Sequence, residues 1–454
     1  MELRVHTSLT PAQAQKAYES LDRLSLYTGV LDADVGQGFC RLLREAAAGE
    51  SRAEFVAAAA RLSGQLAEFV ELGVQDVTGD AWQGYLLTRV REAENAFTRR
   101  AESTGLCGLS EALITLARQD LSLLQQYFVL SAAVWRSFVE QQGWHEALPY
   151  FAWEDFASQD PSANHTPQTE FHDALFTLQD WREAVAPLAD HYHRYGTGDF
   201  ARYHAFRWIH GPQGGNLQGV SHPDPIRLEE LIGDDRQRGL LMQNTEHLLA
   251  GYRANNVLLC GDRGTGKSSS IKALLHRYGG RGLRLIEVAK DDLGDFSRIV
   301  ELLRERPQSF VVFVDDLSFE PHETDYKALK AILEGSVSAQ PRNVVIYATS
   351  NRSHLIRENF SDRAGIMEGE VHPKETLQET FSLSDRFGIR IAFISPTQAQ
   401  YLNIVAALAT LRDLPIDAAA LRARAITWAQ QQNGFSGRTA RQFVDFLEGD
   451  LGRS

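Results

Sequence analysis

The stretch Gly261–Ser270, GDRGTGKSSS, constrains this chain more than any other. Gly261, Gly266, Lys267 and Ser268 stand at the G-x-x-x-x-G-K-[ST] spacing of a phosphate-binding loop. A chain that wraps around phosphates must expose backbone N–H groups and adopt positive φ angles, which glycine permits. Lys267 is then placed over the β- and γ-phosphates of a nucleotide, and the Ser268 hydroxyl is placed to ligate Mg2+. Asp262, Arg263, Gly264, Thr265 and Ser269 complete the cradle. Such a loop must join a buried strand to a helix N-terminus, whose positive dipole end favours an anion. Both flanks agree. Val257-Leu258-Leu259-Cys260 is a short apolar run, as a central parallel strand requires. Ile271, Leu274, Leu275 and Tyr278 recur at i, i+3, i+4 and i+7, one face of a helix.

A second element suits the first. Phe310–Val314 is an apolar strand that runs into two carboxylates, Asp315 and Asp316, with Asp315 standing 48 residues after Lys267. A carboxylate at that strand end holds Mg2+ against the β/γ-phosphates, so Ser268 and Asp315 form the expected metal site.

The rest of the chain sets the frame. At 454 residues there is room for two or three domains, and 43% hydrophobic with 23% charged residues supports packed cores. Cys40, Cys107 and Cys260 are far apart and form no metal-type pair, and the opening MELRVHTSLT lacks a basic-then-apolar layout. No apolar run approaches a membrane span. The expected compartment is cytoplasmic. Charge is uneven: residues 1–200 hold 15 Lys and Arg against 28 Asp and Glu, and the remainder balances at 31 of each. An acidic first part repels phosphate backbones, which favours a protein partner over nucleic acid.

Residues 1–200 read as a mostly helical domain. Thr10–Gln13 and Ser51–Glu54 have the pattern of capping boxes. Phe55, Ala59, Leu62, Leu66 and Phe69 trace one buried helical face, and Leu113, Leu116, Ala117, Leu121, Leu124 and Phe128 a second. The aromatic stretch 144–156 reads as core, and His191 with His193 as a surface pair. Residues 201–225 are rich in Gly and Pro and read as a linker. Beyond them, strand-like runs at 257–260, 283–288, 310–314, 344–348 and 389–393 alternate with helical patterns. That alternation predicts an α/β core over 226–396 with a parallel sheet, followed by a helical segment over 397–454.

With these motifs placed, the chain from about Asp224 onward resembles AAA+ ATPases. It is most similar to a group of uncharacterised bacterial predicted ATP-binding proteins marked by GDRGTGKS, VDDLSFE, ATSN and LSDRFG, here at 261–268, 314–320, 348–351 and 383–388. The resemblance covers a little over half the chain. It implies an AAA+ P-loop NTPase sheet with a helical lid and an ATP-hydrolysing, oligomeric enzyme. The segment Ile226–Gly233 would line the adenine pocket through Ile232 and Gly233. Asn351 would be the polar residue that orients the attacking water. Arg386 would be an arginine finger reaching the neighbouring subunit, with Arg363 a weaker candidate. Arg438 would reach the phosphates from the lid, with Arg441 the alternative. One departure matters: many relatives end the carboxylate strand Asp-Glu, whereas here the expected base is the shorter Asp316, with Glu320 as a substitute.

Three further readings stand beside an Mg2+-dependent ATPase that remodels or loads a macromolecular partner. An ATP-gated assembly or switch with slow hydrolysis would use the same site. A DNA-associated initiator or transposition helper would need a basic surface that the composition does not supply. The sensor-like and lid-like segments count against a small-molecule kinase.

Overall fold

A computed structural model describes residues 9–49, 51–71, 79–156, 167–211, 214–318, 329–330, 333, 341–351, 385–432 and 434–452. The chain divides into two compact units, Met1–Arg202 and Tyr203–Ser454.

The first unit is helical throughout its described residues. It contains α1 (Pro11–Ser20), α2 (Asp34–Ala48), α3 (Arg52–Glu71), α4 (Ala81–Arg91), α5 (Ala96–Thr104), α6 (Glu111–Phe128), α7 (Ala132–Gln142), α8 (Pro167–Thr177), α9 (Val185–Tyr195) and α10 (Asp199–Arg202). Local chemistry marks the helix starts. Thr10 and Gln13 cap α1 reciprocally with Pro11 in its first turn, and Asp80 with Gln83 does the same for α4. Phe39 stacks on Trp82 with ring centroids 3.8 Å apart, and Trp135 meets Phe39 edge-on. Phe151 and Trp153, in the aromatic stretch, are fully buried.

Two details depart from the sequence reading. Leu116 is exposed, and Asp120, one turn further along α6, is buried instead. The Asp120 side chain accepts the backbone N–H groups of Ser25, Leu26 and Tyr27 and the Ser25 hydroxyl, so the turn covering this side of α6 requires a hydrogen-bond acceptor rather than a leucine. His191 is not a surface residue either. It lies buried against the Phe171 ring at 4.2 Å, and burial pushes its pKa down to about 3. His193 is exposed and bonds the Glu102 carbonyl through Nδ1.

The second unit carries a seven-stranded sheet. Its strands are β1 (Ala205–Ile209), β2 (Asn216–Gly219), β3 (Val257–Gly261), β4 (Leu283–Glu287), β5 (Ser309–Val314), β6 (Val344–Ser350) and β7 (Ile389–Phe393), in the order β2-β1-β4-β5-β6-β3-β7. Every pairing is parallel except that of β1 with β2. The region read as a linker therefore contributes a hairpin that lengthens the sheet beyond β4. Its two short strands pair with each other, β1 also pairs with β4, and Gly214 and Gly215 lie between them.

β5 and β6 are buried along their whole length, as strands covered on both faces must be. Helices α11 (Asp235–Leu249), α12 (Lys267–Tyr278) and α13 (Phe296–Leu303) accompany the sheet. Ile271, Leu274, Leu275 and Tyr278 of α12 pack with Val257, Leu259, Val311 and Phe313 in one core. The chain ends in α14 (Gln398–Leu411), α15 (Ala418–Gln431) and α16 (Gly437–Leu451), which build a separate small core around Tyr401, Leu421 and Phe443. No helix among the described residues is long and apolar enough to cross a membrane.

Candidate functional site

The site lies at the C-terminal ends of β3, β5 and β6, the end of a parallel sheet at which loops and helix N-termini converge. β3 runs into the glycine-rich loop and α12 begins at Lys267, with Gly266 in the left-handed region at φ 92° as its N-cap. Register brings the second element alongside. Val314 of β5 pairs with Ala348 of β6, so Asp315 and Thr349 emerge side by side.

A chain of hydrogen bonds joins these strand ends. Lys267 Nζ donates to the carbonyls of Gly261 at 2.9 Å and Asp262 at 2.7 Å, and to Asn351 Oδ1 at 2.9 Å. The Asn351 amide nitrogen donates onward to Asp316 Oδ1 at 2.6 Å. In parallel, the Ser268 hydroxyl donates to Asp315 Oδ1 at 2.6 Å. Lys267 is largely buried. Burial lowers its pKa, and the nearby carboxylates of Asp316, Asp262 and Asp315 oppose that shift without cancelling it.

Beside this network is a cavity of about 550 Å³. Residues 263–270, Asp315, Asp316 and Asn351 are among its polar lining. Ile226, Leu231, Ile232, Ile404 and Leu408 supply its apolar lining. A volume of this size lined by both polar and apolar side chains suits a molecule that carries charge and also an apolar part. The residues fit a nucleoside triphosphate with Mg2+. Positive φ at Gly261, Gly264 and Gly266 suits a loop that presents amides to an anion, and a Cβ on Gly266 would meet no protein atom within 4 Å. Ser268 and Asp315, already in contact, are the hard oxygen donors that could hold the ion.

Ile232 lines the cavity and also packs against the core of α14–α16, whereas Gly233, at φ 87°, is not among the lining residues. Arg438 lines the cavity, and its backbone N–H donates to the Gly264 carbonyl. Arg441 also lines it and pairs with Glu230 at 3.4 Å. Asp262 turns its carboxylate to the Ser395 amide and hydroxyl, a contact that lowers its pKa. Arg386 is exposed just before β7 and does not line the cavity. Arg363 and Glu320 lie outside the described residues.

Sequence reasoning missed two participants. Ser395 gives no signal beyond its place after β7. Thr349 could have been found, because a strand has a two-residue period and Thr349 shares a face with Asn351.

The family described as "Protein of unknown function (DUF815)" matches residues 201–451. No curated protein matches the chain. Among solved structures, a point mutant of Thermotoga maritima RuvB is 21% identical over 50% of this chain and 67% of its own, with a TM-score of 0.34. A second RuvB mutant is 19% identical over 50% of this chain and 66% of its own, with a TM-score of 0.33. The Aeropyrum pernix ORC1 protein in complex with DNA is 17% identical over 49% of this chain and 62% of its own, with a TM-score of 0.34. The chain thus spans about two thirds of the length of these structures. The family match takes in more than half of the chain and contains the loop, both carboxylates and the three final helices, so this protein belongs to the DUF815 family.

Proposed function

We propose that residues 226–454 form an Mg2+-dependent ATPase of the AAA+ type, with residues 397–454 as its lid, that uses ATP to remodel, load or regulate a macromolecular partner. The observation that carries this reading is the bonded set Lys267–Asn351–Asp316 and Ser268–Asp315 in the lining of one cavity.

In this reading Lys267 exchanges its carbonyl partners for the β/γ-phosphates. Ser268 and Asp315 hold Mg2+, which when bound neutralises phosphate charge. The adenine lies against Ile232 and its apolar neighbours. Asp316 accepts the proton of the attacking water at its carboxylate, and Asn351, bonded to that carboxylate, orients it. Arg438, or Arg441 after leaving Glu230, contacts the phosphates from the lid. Arg386, exposed and away from its own cavity, serves the neighbouring subunit of a homo-oligomer. The acidic N-terminal unit favours a protein client over nucleic acid.

A second reading, an ATP-gated switch with slow turnover, draws support from Asp316. Its carboxylate is shorter than a glutamate's and already engaged by Asn351. The test of nucleotide binding is calorimetry with MgATP on the wild type and on Lys267→Ala. Loss of binding in the variant is expected, because the cation over the phosphates is gone. Equal affinities would remove the basis of both readings; where the variant loses binding, the turnover rate of the wild type with candidate protein clients separates one from the other.

A further inference from the structure

Asp316 is one of three non-glycine residues among those described with positive φ, at 49°. Aspartate enters the left-handed region more readily than most residues, and here its neighbours fix it there. Asp315 and Asn351 bond it, and so does Thr349. Thr349, at the end of β6 and 1% exposed, bonds three consecutive residues of the facing segment. Its hydroxyl donates to Asp315 Oδ1 at 2.5 Å and accepts the Asp316 N–H at 2.9 Å. Its carbonyl accepts the Leu317 N–H at 2.7 Å. The donated proton directs the Asp315 carboxylate, and the accepted one helps set the Asp316 backbone.

We propose that Thr349 is a positioning residue for the metal and the base: its hydroxyl aims the Asp315 carboxylate at the cation and holds Asp316 in its left-handed turn. This rests on the ATPase reading above. The two roles come from one oxygen because a hydroxyl both donates and accepts, so neither an apolar isostere nor a pure donor can replace it. Asp315 Oδ1 also takes the Ser268 hydroxyl and the Asp316 N–H. Ser268 is the donor that would be given up to hold the ion, whereas the buried Thr349 would keep its bond to Asp315. Partners behind a metal-ligating carboxylate typically matter by about 10- to 100-fold in metal affinity or activity.

The experiment is calorimetric titration of ATP into the full chain, once with Mg2+ and once with EDTA. Thr349→Val keeps the shape and removes both hydroxyl bonds. It should lose about 10- to 100-fold of the gain in ATP affinity that Mg2+ confers, while its affinity in EDTA stays within about twofold of wild type. Thr349→Ser should recover the gain. Thr349→Ala, which lacks the same bonds without adding a methyl beside Asp315, carries the test if the valine protein does not fold. An unchanged Mg2+ gain in the valine or alanine protein overturns the proposal. So does an equal loss with and without Mg2+, which marks a merely structural role, or a serine protein no better than valine. A wild type that binds no ATP in either buffer overturns the ATPase reading itself, and this proposal with it.

Discussion

The backbone N–H of Arg438 donates to the carbonyl of Gly264 at 3.1 Å, which seats the first turn of α16 directly on the glycine-rich loop. The two surfaces meet closely. A Cβ on Gly264 would stand 3.1 Å from Ser436 Oγ and 3.3 Å from Arg438 Cβ, at a φ of +76°. Gly264→Ala should therefore lower stability to denaturant by about 1–2 kcal/mol through the backbone term alone. It should also weaken ATP binding as α16 is pushed away. A denaturation midpoint equal to that of the wild type would mean that the loop and helix separate at no cost.

Asp315 and Asp316 are adjacent in sequence but bonded differently, and their variants should separate binding from chemistry. Asp315→Ala removes the carboxylate that Ser268 and Thr349 both address, so the Mg2+-dependent part of ATP affinity should fall. Asp316→Asn keeps the size and the contact with Asn351 while removing the base. Binding should survive and turnover should drop by about 100-fold or more. Phosphate release at equal rates from wild type and Asp316→Asn would transfer the base role to Glu320 or another group.

Arg386 tests assembly. If it completes a neighbour's site, activity per chain should rise with protein concentration as oligomers form. Arg386→Ala should bind ATP normally and lose roughly 10³-fold in rate. Mixing it with Lys267→Ala should restore part of the activity, because Arg386 of the second protein can serve the intact loop of the first. A chain that stays monomeric with ATP and turns over independently of concentration would sink the shared-site model.

His191 makes the helical unit sensitive to acid. Burial against Phe171 is the largest cause of its lowered pKa, with the Arg91 charge adding to it. The unfolded chain takes up a proton near the ordinary value of 6.5, whereas the folded chain refuses it until about pH 3. Stability from this group is thus full above pH 6.5 and is lost as pH falls toward 3, by at most about 1.4 kcal/mol per pH unit. His191→Phe should narrow the difference in melting temperature between pH 7 and pH 5. An unchanged difference would show that other groups carry the acid response.

Much of the second unit was legible because its signals are local. Val257–Cys260 and Phe310–Val314 are contiguous apolar runs of strand length, as strands covered on both faces require. Lys267, Ser268, Asp315 and Asp316 stand in motifs whose spacing follows from the path of the backbone between strand and helix. The hairpin of β1 and β2 was not legible. Its residues favour turns, and only an open edge at β4 makes short strands of them.

By itself, the sequence determined the α/β character of the second unit, the helical character of the first, and which residue types form a phosphate-type loop and an acidic strand end. Tertiary structure decided which side chains meet. The pairing of Val314 with Ala348 places Thr349 against Asp315, and the same fold brings Asn351 between Lys267 and Asp316. It also turned Leu116 outward and His191 inward. The reason is that periodicity reports a face of one element, whereas burial and hydrogen bonding depend on what another element brings to that face.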